Sequence, residues 1–102
     1  MSPRALRLEL QSGTKLRLVD VREPFEWEIC RIAGSVLIPL GDLPERVDEI
    51  DPDPGVVSVC HTGRRSLDAA RFLRSRGIAG VRSLRGGVAG WAEEVEPDMA
   101  RY

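Results

Sequence analysis

The stretch Cys60-His61-Thr62-Gly63-Arg64-Arg65-Ser66 holds the residue types and spacing that can do chemistry. An apolar, β-branched run, Val56-Val57-Ser58-Val59, precedes it, and a helix-like run from Leu67 to Arg76, closed by Gly77, follows it. A thiol therefore falls where a buried strand ends and a helix begins. Backbone N–H groups in the first turn of a helix lack helical partners and point into such a loop. The helix dipole adds partial positive charge there, and Arg64 and Arg65 add two full charges. That field favours the thiolate, the nucleophilic form of cysteine. The ordinary alternative is a small cysteine that fills space in a core. The Gly and two Arg that follow Cys60 favour chemistry, in an accessible and electropositive setting.

Each neighbour has a chemical reading beside a plain one. Gly63 suits a tight loop, because glycine adopts backbone angles that other residues avoid; it is otherwise a turn glycine. Arg65, five residues after Cys60, is expected to open the helix and to present its guanidinium to an anion, a task suited to its fork of donors. A solvated helix-terminal charge is the alternative for Arg65, and the stronger one for Arg64. Thr62 and Ser66 can donate hydroxyl hydrogen bonds to a bound anion, or simply cap the helix. His61 is the only histidine. Adjacent residues in a tight loop point apart, and a general base must reach the proton it takes, so a protease-like Cys-His pair is not the favoured reading. One His and two distant Cys also fall short of a four-ligand zinc set. Neither a metal nor an organic cofactor is expected. Cys30 reads as packing, with a resolving thiol as the alternative if its Cα lies within about 7 Å of that of Cys60. Gly86-Gly87 is not a phosphate-binding loop, since no Lys-Ser/Thr pair follows it. Trp27 and Trp91 read as core.

The elements that position these residues alternate along the chain. Ser2-Pro3 starts a helix, with Ser as N-cap and Pro at the first helical position. Leu6 and Leu10 share its inner face, and Gly13 stops it. Leu16 and Leu18 alternate with Lys15 and Arg17 in a strand that ends at Asp20 or Val21. Pro24 opens a short helix carrying Phe25, Trp27 and Ile29. Val36-Leu37-Ile38 is a second short strand. Asp42, with Glu45 three residues on, has the capping-box spacing of a further helix, whose Leu43, Val47 and Ile50 share a face. Asp51-Pro52-Asp53-Pro54-Gly55 is a turn rather than a linker, and Val56 to Val59 is the third strand. Leu67, Ala70 and Leu73, with Ala69 and Phe72, give the next helix an apolar side, and Gly77 terminates it. Val81 to Leu84 is the last strand, turned by Gly86-Gly87 into a helix with Val88, Trp91 and Val95 on one stripe. Such alternation predicts an α/β fold with a mainly parallel sheet and helices on both faces. Ligands of such sheets bind beyond the carboxyl ends of the strands, where Cys60, Asp20, Arg22 and the Leu84-to-Gly87 turn should gather.

At 102 residues and 42% hydrophobic content, one domain spanning residues 1–102 is expected. The net charge of −1 gives no global field for nucleic acid or an anionic membrane. No apolar run approaches the roughly 20 residues of a membrane helix. Met1-Ser2-Pro3-Arg4 lacks an apolar signal region, and two distant cysteines are no disulfide framework. The expected setting is a reducing cytoplasm.

Cys60 to Ser66 resembles the active-site loop of rhodanese-like sulfurtransferases. Leu18-Val19-Asp20-Val21-Arg22-Glu23-Pro24 is similar to that family's first core strand and turn. Ala33-Gly34-Ser35 with Ile38-Pro39 is similar to its next strand, and Leu84-Arg85-Gly86-Gly87 with Trp91 to its last strand and helix. The pieces are weak singly and strong as an ordered set covering nearly the whole chain. The likeness is greatest to rhodanese domains that end proteins of molybdopterin and thiamine sulfur transfer, whose tails resemble Glu94-Val95-Glu96-Pro97 and Arg101-Tyr102. The family's His before Ile-x-Gly is Arg31 here, which bears on local packing and substrate approach rather than on the nucleophile.

The resemblance implies a sulfurtransferase in which Cys60 takes sulfane sulfur from a donor such as thiosulfate. It holds the sulfur as a persulfide among the amides of His61 to Arg65, and passes it to a thiol, cyanide or a sulfur-carrier protein. It also implies that Asp20 and Arg22 are structural, with Arg22 paired to an acidic residue, Glu26 or Glu28. Two other functions stay open: a non-catalytic binding module, and a cysteine phosphatase or arsenate reductase. Against the last, four residues separate Cys60 from Arg65, where the phosphatases that resemble this family have five.

Overall fold

The Ser2 hydroxyl accepts a 3.1 Å hydrogen bond from the Ala5 amide, and Pro3 takes the first helical position, as the sequence predicts. The computed structural model in which this is seen describes residues 1–100; Arg101-Tyr102, part of the tail resemblance, lies outside them. Helix α1 (Pro3–Gln11) leads into β1 (Arg17–Asp20), α2 (Pro24–Ile29) and β2 (Val36–Leu37). A short helix α3 (Leu43–Arg46), flanked by two 3-10 turns, follows. Then come β3 (Val56–Val59), α4 (Arg64–Ser75), β4 (Arg82–Ser83) and α5 (Gly87–Glu94).

The four strands form one sheet in the order β2-β1-β3-β4, with every pair parallel. All four residues of β3 are buried, because helices cover both faces of its sheet and the strand can be apolar without interruption. Successive side chains alternate between faces. Val19, Val21, Val56 and Cys60 pack with Leu43 of α3 and Ala69, Ala70 and Leu73 of α4. Leu18, Val57 and Val59 pack with Leu6 of α1 and Val88 and Trp91 of α5. The expected parallel α/β sheet with helices on both faces is what this chain forms. Among the described residues, no helix is long and apolar enough to cross a membrane.

Three local expectations are corrected. Helix α4 starts at Arg64 rather than Leu67, and its inward residues are Ser66, Ala69, Ala70 and Leu73, leaving Leu67 41% exposed. Their spacing is i, i+3, i+4, i+7, so Ser66 takes the place in the stripe that an apolar residue would fill. In α2 the inward residue is Glu26, 3% exposed; Trp27, expected in the core, is only half-buried, and Phe25 and Ile29 are 57% and 50% exposed. The Asp42 side chain makes no capping bond, because a 3-10 turn already holds Asp42 in helical rather than extended backbone angles. The capping box forms instead between Glu23 and Glu26. Leu43, Val47 and Ile50 still pack against one cluster.

Asp20 and Arg22 make the sheet's buried ion pair. Arg22 Nε donates to both Asp20 oxygens at 2.9 and 3.0 Å, and Nη2 donates to Oδ2 at 2.8 Å, with both side chains fully buried. Arg22 thus pairs with Asp20, not with the carboxylate of Glu26 or Glu28. From Glu26 it takes the main-chain carbonyl, at 3.3 Å, and from Cys30 another, at 2.7 Å. The reason is steric: α2 winds over Arg22 and presents carbonyls, while Asp20 on the same strand end presents its carboxylate. Removing one partner strands a buried charge at about 3–5 kcal/mol. Arg22→Met is therefore expected to lower the urea midpoint by a large part of the fold's stability, and Asp20→Leu combined with Arg22→Met to lower it less.

Candidate active site

Cys60 follows β3 and turns its thiol into the core on the α4 side, where the residue is 1% exposed. The accessible cysteine expected from the sequence is thus a buried one, because its Sγ is closed over by the loop that follows. The Gly63 amide donates to Sγ at 3.0 Å, and Ser66 Oγ lies 3.4 Å from it. Gly63 is the N-cap of α4 with φ +106°, and a Cβ there would stand 3.1 Å from the Gly86 amide nitrogen. Both facts require glycine.

The other side of the loop is held by α5. Its first-turn amides, which have no helical partners, donate to the loop's carbonyls: Val88 to Cys60 at 2.8 Å and Ala89 to His61 at 3.0 Å. Gly87 permits this approach, since a Cβ at that position would overlap both carbonyl oxygens. Two helix starts therefore meet at the thiol. One aims an amide at sulfur and the other fixes the backbone that carries it.

The charges are arranged differently from the sequence expectation. Arg65 does not turn its fork to an anion in the loop; Nη1 and Nη2 donate to Glu26 Oε1 and Oε2 at 2.6 and 2.8 Å. Those bonds from Arg65, against the opposing effect of burial, hold the Glu26 carboxyl at about 2, below its ordinary 4.5. The Glu23 amide, at 2.9 Å, and the nearby Arg22 help. Arg64 and Thr62 are exposed. Ser66 does not cap the helix. Its hydroxyl lies 2.7 Å from that of Ser83 on β4, and its carbonyl accepts from Ser58 Oγ at 2.7 Å. Asp68 is exposed on α4.

Cys30 packs against the cluster on the opposite face of the sheet from Cys60, and both thiols are free. Arg31 lies over the Trp27 ring, 4.8 Å from its centroid, an arrangement open to a cation. Among the described residues no group of His, Cys, Asp and Glu could hold a metal ion. Two clefts of about 320 and 340 Å³ lie elsewhere, one beside Leu10 and Trp91 and one beside Leu16 and Val36. The site is a loop wrapped around one sulfur atom.

Sequence reasoning offered Glu26 only as a partner for Arg22, missing its pairing with Arg65, and missed Ser83 altogether. Glu26 carried a usable signal, since Glu23-Pro24 with Glu26 is a helix-start pattern that places a carboxylate at the turn. Ser83 carried none, being one serine in a short strand.

A parallel α/β sheet whose central strand delivers a thiol to the start of a helix defines a cysteine-loop domain. The model of the rhodanese-like domain family matches residues 2–94, and the chain belongs to that family. It is 40% identical over 104 residues to the probable adenylyltransferase/sulfurtransferase MoeZ of Mycobacterium tuberculosis, covering all of this chain but 26% of that protein. The chain thus spans about a quarter of that relative's length. It is 33% identical to the putative sulfurtransferase YtwF of Bacillus subtilis, over 95% of this chain and 93% of YtwF. The solved structure of a human single-domain sulfurtransferase superposes with a TM-score of 0.80 at 31% identity, over 92% of this chain and 95% of that one.

Glu26 titrates lower in the folded protein than in the unfolded chain, so the Glu26–Arg65 pair stabilises the fold above the ordinary carboxyl range. That contribution is lost as pH falls from about 4.5 toward 2. Glu26→Gln is expected to cost about 2 kcal/mol at neutral pH. Its deficit against the native protein should shrink over that acid window, as read by denaturant unfolding at several pH values.

Proposed function

We propose that residues 1–102 form one domain acting as a sulfurtransferase of rhodanese type, with Cys60 as the sulfur carrier. The observation that supports this best is the Sγ of Cys60, at the carboxyl end of the central strand, receiving the Gly63 amide at 3.0 Å with Ser66 Oγ at 3.4 Å. Donors aimed at sulfur stabilise negative charge on it, and such pre-positioned dipoles need no rearrangement when the charge appears. The relatives' names agree with this reading.

In the first half-reaction the Cys60 thiolate attacks the outer sulfur of thiosulfate. A new S–S bond forms, the donor's S–S bond breaks, and sulfite leaves with the electron pair. In the second, the acceptor attacks the outer sulfur of the persulfide and releases the thiolate. Cyanide serves in the assay and gives thiocyanate; a thiol or a sulfur-carrier protein serves in the cell. The two steps share one covalent intermediate, so the kinetics are ping-pong. The amides and hydroxyls from His61 to Ser66 cradle the outer sulfur. Asp20 and Arg22 hold the strand end beneath it, and no cofactor takes part. A reducing cytoplasm suits a thiol that must stay free, and neither nucleic acid nor a membrane is a partner.

The depth of Cys60 favours a small donor that reaches Sγ through the loop. A persulfide adds one atom there. A phosphoryl group adds three oxygens that need amides around them, and Arg65, the fork that would clamp them, is bound to Glu26. The short loop points the same way, and Asp68, the acid nearest to it in sequence, is exposed on α4.

Intact mass measured after incubation with thiosulfate should show one added sulfur atom, removed by cyanide and absent in Cys60→Ser. A Cys60→Ser protein that gains the same mass would refute the assignment. Hydrolysis of p-nitrophenyl phosphate should be negligible in the same preparation, and robust Cys60-dependent hydrolysis without persulfide would favour the phosphatase reading.

A further inference from the structure

Ser66 and Ser83 form a chain of hydroxyls that leads away from the thiol. Cys60 and Ser66 are buried, at 1% and 0% exposure, whereas Ser83 is only half-buried. The separations are 3.4 Å from Sγ to Ser66 Oγ and 2.7 Å from there to Ser83 Oγ. Ser83 is held in place by its backbone: β4 pairs it with Ser58, and its carbonyl accepts from the Met1 amino group at 3.1 Å.

We propose that Ser83 is a positioning residue of the sulfur-transfer site, orienting the Ser66 hydroxyl toward Cys60 and linking the buried thiol to solvent. This rests on Cys60 being the reacting group. A hydroxyl has one proton and can also accept, so the chain has two directions. With the thiol present, S–H donates to Ser66, and Ser66 donates to Ser83. With the thiolate, Ser83 donates to Ser66, and Ser66 donates to sulfur. Going from one to the other moves the thiol proton to Ser66 Oγ, the Ser66 proton to Ser83 Oγ and the Ser83 proton to water, so all protons are accounted for. Bonds to an ionised acceptor are the stronger ones, and each bond in a chain polarises the next. Ser83 therefore stabilises the thiolate direction more than the thiol direction.

The charged and titratable groups around the loop are Asp20 and Arg22 at the end of β1, Glu26 on α2, and His61, Arg64 and Arg65 beside Cys60 in sequence. Arg85 follows β4, and the Met1 ammonium sits on the Ser83 carbonyl. Among the described residues, the groups bonded to Sγ are the Gly63 amide and the Ser66 hydroxyl. Replacing Ser83 by Val removes one hydroxyl and none of these charges.

The test uses Ser83→Val and Ser83→Thr, two side chains of nearly equal shape of which only Thr keeps the hydroxyl; Ser83→Ala replaces Val if that variant does not fold. The readout is the rate of Cys60 alkylation by iodoacetamide from acid to alkaline pH, followed by peptide mapping. The Val variant should react about fivefold more slowly at neutral pH, the equivalent of one lost hydrogen bond. Its midpoint should shift to higher pH while its alkaline plateau matches the native rate, and Thr should stay near native. A role in packing alone would lower the plateau and leave the midpoint in place, which would overturn the proposal, as would identical profiles for Val and Thr. Persulfide formation on the native protein is measured alongside. If it occurs while the profiles are identical, Ser83 has no such role and sulfur transfer stands. If the profiles differ but no persulfide forms, the hydroxyl chain stands and the sulfur-transfer reading fails.

Discussion

A chain of alternating charges, Asp20–Arg22 and Glu26–Arg65, ties the sheet to the start of the helix that carries the site. Arg22 is buried against Asp20 and reaches the Glu26 carbonyl; Glu26 is buried and takes both arms of Arg65. Buried charges are tolerated only when paired and hydrogen-bonded, and here each is. The effect is to lock β1, α2 and the first turn of α4 into one rigid corner. If α2 shifts, Arg65 loses its partner, and with it goes the placement of Gly63 and Ser66, its neighbours in the same turn.

The thiol benefits from that corner without touching it. Its immediate donors are a backbone amide and a hydroxyl, both uncharged. Of the full positive charges, Arg65 spends its fork on Glu26 and acts on Cys60 through space only, and Arg64 is exposed. A site so built can hold a singly charged sulfur, while the Arg65 fork that could clamp a phosphoryl group is already filled by Glu26. Glycine does the fitting. Gly63 provides the left-handed angle that aims its amide at sulfur, and Gly87 lets α5 approach closely enough to pin the carbonyls of Cys60 and His61.

The order of elements and the place of Cys60 were legible because they rest on strong local signals. Val56 to Val59 is unbroken and β-branched, and Ser2-Pro3 is a plain helix start. The faces of the short elements were less legible. In α2 the aromatic Trp27 was read as core, but it is only half-buried, and a carboxylate with a waiting guanidinium takes the inward place. In α4 the same bias chose Leu67 over Ser66, which is buried because Cys60 and Ser83 satisfy its hydroxyl. The role of Arg65 was misjudged for a related reason. Spacing says that an Arg lies near the loop, while its partner comes from 39 residues earlier in the chain and is visible only in three dimensions. Arg31 shows the reverse case: a departure from the family's pattern that folding absorbs by laying the guanidinium on Trp27.

The central claim is that the outer sulfur is held on Cys60 by the donors of this one loop. Amide chemical shifts of nitrogen-15-labelled protein, recorded before and after a slight excess of thiosulfate, address it directly. The account predicts that the Gly63 amide moves most, followed by others from His61 to Ser66 and by Val88 and Ala89 across the loop, and that Cys60→Ser shows none of these changes. Shifts centred on the cleft beside Leu10 and Trp91, or the same loop shifts in Cys60→Ser, would contradict it.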